Sequence, residues 1–89
     1  MKVIRICRPS EHHVSFEFLN LKDIEGLVFT AKKDRIHLHI DHKKRGIMHF
    51  CTHQGSIDDV ELLDSRWKQF QTNEAIFFDL AWFESVLTP

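Results

Sequence analysis

The sequence is poor in residues that punctuate, cross-link or anchor a chain. Among 89 residues there is no tyrosine, and there are only two prolines, three glycines and two cysteines. Two cysteines, Cys7 and Cys51, do not make a disulfide framework, and a reducing cytoplasm is the expected setting. Apolar runs are short. The longest, residues 75–78 and 80–83, hold four side chains each, far below the ~20 that cross a bilayer, so no membrane partner is expected. Residues 3–7 are interrupted by Arg5 and do not read as a signal peptide. Net charge is scarce too, −1 with a pI near 6.6, which weakens the case for nucleic acid. There is no internal repeat, low-complexity tract or linker, and no glycine-rich phosphate loop, nucleophile elbow or paired catalytic carboxylate.

What is present fits one folded domain over residues 1–89. A content of 43% hydrophobic and 28% charged residues belongs to a globular chain, not a disordered one. A chain this long buries only ~60–65% of its unfolded surface, so each large apolar residue matters. Charge is divided unevenly. Residues 1–56 carry ten Lys/Arg against six Asp/Glu, and residues 57–89 carry two against seven. Such asymmetry either orients two molecules or is neutralised within the fold.

Apolar residues alternate through the first half, the period of half-buried strands. Ile4 and Ile6 mark a strand near 2–8, and Val14, Phe16 and Phe18 one near 13–19. A third runs over about 27–31, followed by a tight turn at Lys32-Lys33-Asp34. Ile36, Leu38 and Ile40 mark a fourth near 35–42, and Met48, Phe50 and Thr52 a fifth near 47–53. The period then changes. Ser56 begins a capped helix whose Ile57, Val60, Leu63, Trp67 and Phe70 share one arc. Thr72-Asn73-Glu74 reads as a second cap, opening a helix over about 74–87. The expected fold class is α+β: an antiparallel β-meander of about five strands followed by two C-terminal α-helices packed on one sheet face.

The fourth and fifth strands carry the first candidate site. With Lys44-Arg45-Gly46 as a three-residue loop and Gly46 left-handed, Ile40 falls opposite Phe50 and Leu38 opposite Thr52. His37 then faces His53, His39 faces Cys51, and Asp41 faces His49. Opposed Cβ atoms lie about 4.5–5.5 Å apart. His37, His39, Cys51 and His53 thus form a candidate quartet for zinc, copper or nickel, with Asp41 and His49 as alternates. The chain is histidine-rich, with seven in all, and the same face suits pH sensing. A plainer explanation is a solvated sheet face, and no resident cofactor is required. Cys51 beside a histidine resembles a nucleophile–base pair, but mid-strand on an open sheet its thiolate lacks stabilisation. Enzymatic activity is therefore not the expectation.

The basic turns Lys32-Lys33-Asp34-Arg35 and Lys43-Lys44-Arg45 sit at opposite ends of one strand, about 25 Å apart. Phe16, Phe18 and Phe50 are assigned to the core side, which leaves no exposed strand aromatics for base stacking. Both points argue against nucleic acid. The last helix carries two apolar stripes. Ile76, Leu80, Phe83 and Leu87 would cover the sheet, while Phe78, Trp82, Ala75 and Val86 need a second surface. Either the first helix supplies it or a partner does. The functional expectation is a small non-enzymatic binding protein (an adaptor, inhibitor or accessory subunit), acting as a homodimer or on an unidentified protein. The alternatives are a metal- or pH-sensing protein and a nucleic-acid-associated regulator.

Overall fold

Ile4 and Ile6 stand two residues apart on β1 (Val3–Pro9) and are both fully buried, as period-two alternation requires of one sheet face. The computed structural model describes residues 1–9, 11–52 and 54–86. β1 pairs antiparallel with β2 (Val14–Asn20), and a 3-10 turn at Leu21–Asp23 leads into β3 (Ile24–Lys32). There the chain changes sheet. β3, β4 (Arg35–His42) and β5 (Gly46–Cys51) form an antiparallel meander. After the helix α1 (Ile57–Thr72), β6 (Phe77–Leu80) returns to lie parallel to β1, and β7 (Glu84–Ser85) pairs with β5. The two sheets are ordered β2-β1-β6 and β3-β4-β5-β7.

One apolar cluster joins them. Ile4, Ile6, Leu19, Phe78 and Leu80 enter it from the first sheet, Phe29, Ile36, Leu38, Ile40 and Phe50 from the second, and Trp67 and Phe70 from α1. Trp67 and Phe70 both pack against the Phe78 ring, with centroids 5.6 and 5.4 Å away. Full burial of one such ring stabilises by about 1.5–3 kcal/mol. α1 starts where the sequence places it. The Ser56 backbone N–H and hydroxyl both donate to Asp59 Oδ2, at 2.9 and 3.2 Å. Its other end is held by Lys2, whose ammonium donates to the carbonyls of Phe70 (2.5 Å), Asn73 (2.6 Å) and Ala75 (2.8 Å). A cation there suits the negative end of the helix dipole.

The expected arrangement of one meander and two C-terminal helices is corrected on two counts. The strands divide between two sheets, and among the described residues there is one α-helix. Residues 77–80 form a strand instead of the second helix, with Phe78 and Leu80 buried while Phe77 and Asp79 face outward. An apolar run this short fits either period. The apparent cap is real but serves another turn: Asn73 Oδ1 accepts the Ala75 N–H at 3.0 Å, and such a side-chain turn ends a helix as readily as it starts one. What decides the matter is the free edge of β1, which β6 covers from Val3 to Ile6.

The β4–β5 register is also corrected, by two residues. His42 pairs with Gly46, so Lys43-Lys44-Arg45 is the loop and Gly46, at φ +75°, closes it. His42 is buried, and its Nδ1 accepts the N–H groups of Lys44 and Arg45, both at 3.1 Å. That side-chain cap selects the register over the expected one. A shift of two preserves each residue's face. At the other end of β4, Lys33 and Asp34 adopt φ +53° and +61° between the paired Lys32 and Arg35, the twist a two-residue hairpin needs.

Candidate functional site

Each sheet turns one face to the core and one outward. The outward face of β3-β4-β5 carries the histidines. With the observed register, His39 lies opposite His49 and His37 opposite Cys51. The His37 Nδ1 and His49 Nε2 atoms are 2.8 Å apart, and the His39 ring stacks on His49 at 4.2 Å with 14° between planes. Desolvation, then the charge of His39, lowers the pKa of both His37 and His49 below the ordinary histidine value; His37 is also lowered by Lys32 and Arg35.

This geometry rearranges the quartet inferred from sequence. His39 does not face Cys51. Ring nitrogens coordinate in the plane of the ring, so a stacked His39–His49 pair does not converge on one ion. Asp41 lies opposite Ile47, and His53 is outside the described residues. Among the described residues no three His, Cys, Asp or Glu side chains form a group able to hold a metal ion.

The outward face of β2-β1-β6 is different in kind. Arg5 and Asp79 are register partners and meet in a two-point ion pair, Nε to Oδ1 at 2.5 Å and Nη2 to Oδ2 at 2.8 Å. The hydrogen bond from Arg5 holds the Asp79 carboxyl below the usual carboxylate range. The guanidinium also lies 4.0 Å over the Phe77 ring. Around this pair the face is apolar. Phe16 and Phe18 flank it on β2, 54% and 60% exposed, and Trp82 stands on the far side at 61%. With Cys7, Leu80 and Ala81 they line a concavity of about 560 Å³. Trp82 holds a left-handed backbone, φ +67°, which is rare for a bulky residue.

Assigning Phe16 and Phe18 to the core is therefore corrected. The β1–β2 register pairs Ile4 with Leu19 and Ile6 with Glu17, so Ser15, Glu17 and Leu19 face inward. Both faces of this hairpin carry an apolar row, and the strand pattern does not say which row is core. A hairpin loop one residue longer or shorter would swap them. Sequence reasoning also missed Glu17, whose side chain is only 11% exposed and ion-pairs with Arg8 (3.3 Å) and Arg45. An acidic residue inside an otherwise apolar alternation was its only signal, and it suggested the solvent side.

The four residues expected to form one partner-binding stripe are dispersed. Phe78 is 6% exposed and belongs to the core, Ala75 lies before β6, and Val86 lies beyond β7, its N–H donating to the His49 carbonyl at 2.8 Å. Trp82 alone joins the aromatic face. Among the described residues no helix is long and apolar enough to cross a membrane. No family model, curated protein or solved structure gives a significant match to this chain.

Proposed function

We propose that the chain is a non-enzymatic protein-interaction module whose docking surface is the outward face of β2-β1-β6. The observation that carries this reading is the convergence of Phe16, Phe18 and Trp82, each more than half exposed, on one concavity around the Arg5–Asp79 pair. Exposed aromatics anchoring an interface, with a charged pair to set orientation, are the usual anatomy of protein recognition. The left-handed Trp82 supports it, because strain of about 1–3 kcal/mol at an exposed side chain has no benefit to folding. Nucleic acid fits less well. The aromatics needed for base stacking are outward after all, yet the cation that lines the concavity with them, Arg5, is already paired with Asp79 and is not free for phosphate.

The test is site-specific photo-crosslinking in the native cells, with a photoreactive phenylalanine analogue at position 18 and, as control, at position 28 on the histidine face. Val28 is similarly exposed, 55%. Protein adducts, to itself or to another chain, are expected at position 18, and they should vanish when Trp82→Gly is added. Equal adducts at both positions, or none at 18, would reject the reading. Proton sensing by the histidine face is a second reading, supported by the His37–His49 contact, and its test is the pH dependence described below.

A further inference from the structure

The aromatic face is self-complementary in charge, and we infer that its occupant is a second copy of this chain, packed face to face across a two-fold axis. This inference rests on the docking reading above. It goes further by naming the partner and the contact that fixes its orientation.

The face holds one guanidinium and one carboxylate side by side on adjacent strands, Arg5 on β1 and Asp79 on β6. A two-fold axis lying in the interface, along the strands and between these two, carries Arg5 onto the second copy's Asp79 and Asp79 onto its Arg5. Each ion pair becomes half of a four-membered network with alternating signs. A partner with a net charge on its surface would gain nothing from this neutral face, whereas a copy presents what it needs.

The topology makes the apolar part agree. β2 lies on one side of β1, and β6 with its Ala81–Trp82 turn lies on the other. The same rotation therefore brings Phe16 of one copy to the side of the other that carries the Ala81–Trp82 turn, with Phe18 at the level of its Asp79. Because β6 runs parallel to β1 with Leu80 beside Ile6, Trp82 sits level with the strand end that also holds Phe16, which pairs with Cys7. The Phe16 ring thus meets a turn, not another ring's edge.

The exposed aromatic area is a large part of what such an interface needs. Each aromatic side chain offers roughly 150–250 Å², so Phe16, Phe18, Phe77 and Trp82 at their observed exposures supply about 400 Å² per copy. The rest of the face brings this toward the ~600–800 Å² per partner of a small stable interface.

The experiment is analytical ultracentrifugation at micromolar concentrations on the full chain. The wild type should sediment as a dimer. Arg5→Asp and Asp79→Arg should each sediment as monomers, with self-association weakened at least tenfold. Mixed in equal amounts, these two variants should recover a dimer, because the first presents carboxylates at both positions and the second presents guanidinium groups at both. An ion pair acting only within a chain cannot produce that recovery. Trp82→Gly guards against misfolding as the cause: it should keep the wild-type circular dichroism and be monomeric. A monomeric wild type, dimeric single variants or a mixture that stays monomeric would each overturn the inference. Crosslinking separates the two failures. A monomer that still gives position-18 adducts with another protein loses the second copy and keeps the docking surface, whereas a monomer without adducts loses both.

Discussion

The two outward faces are built on the same plan and use it differently. Both include an antiparallel hairpin, and both hold aromatic rings at alternate positions. On β4 and β5 the rings are imidazoles that satisfy one another, His37 bonded to His49 and His49 stacked on His39. On β2 and in the turn after β6 they are apolar and spread around a concavity, and Phe16 and Phe18 touch only obliquely, at 6.4 Å and 36°. Imidazoles carry their own hydrogen-bonding groups, so such a face closes on itself at no cost in water. Phenylalanine and tryptophan have no such option and gain only by being covered.

The contrast can be attacked from the core outward. The largest effect is expected where the C-terminal segment enters the core. Phe78→Ala should cost about 3–5 kcal/mol in chemical denaturation, whereas Phe18→Ser, on the aromatic face of the same sheet, should change monomer stability by no more than about 0.5 kcal/mol. Similar losses for both would mean that the aromatic face is part of the fold. Trp82→Gly comes next. Removing the side chain from a left-handed position should raise stability by about 1 kcal/mol while abolishing association. A loss of stability in thermal melts would assign Trp82 a packing role instead.

The smallest expected effect belongs to the histidine face. His37 and His49 have folded-state pKa values below the ordinary value near 6.5. The unfolded chain therefore binds protons first as pH falls. Their contribution is complete above about pH 6.5 and is lost progressively as pH drops through the folded-state values. Denaturation midpoints should decline over that window, and the decline should shrink in His37→Gln and His49→Gln. A midpoint that is flat from pH 8 to 5 would discard proton sensing. Association through the aromatic face should not follow this curve, because Arg5 and Asp79 keep their charges throughout it.

How much of this was legible depends on what fixed each element. α1 was legible because Ser56, Asp59 and a 3.6-residue apolar arc agree, and no tertiary contact competes. The faces of β4 and β5 were legible from period-two alternation, but their pairing was not, because buried His42 caps the loop and moves the register by two. Phe16 and Phe18 were misplaced because the β1–β2 hairpin is apolar on both sides and its loop length sets the outcome. The segment after α1 was misread most completely. Its pattern is ambiguous locally, and its partner, β1, lies 74 residues away at the Arg5–Asp79 pair. The histidines were named as a group correctly in composition but not in geometry, since stacking is invisible to spacing.

β6 joins β1 across 74 residues of sequence, and this orders events during synthesis. β1 emerges before β6, pairs with β2, and then waits with its other edge bare until β6 leaves the ribosome. Until then the apolar inward face of that hairpin lacks Phe78 and Leu80, and the β2-β1-β6 sheet stays incomplete. Contacts of such long sequence separation form slowly, and an exposed strand edge is a template for the wrong neighbour. The window in which a nascent chain is vulnerable, and in which a chaperone or a sibling chain on the same message has access to it, is thus set by where β6 lies in the sequence.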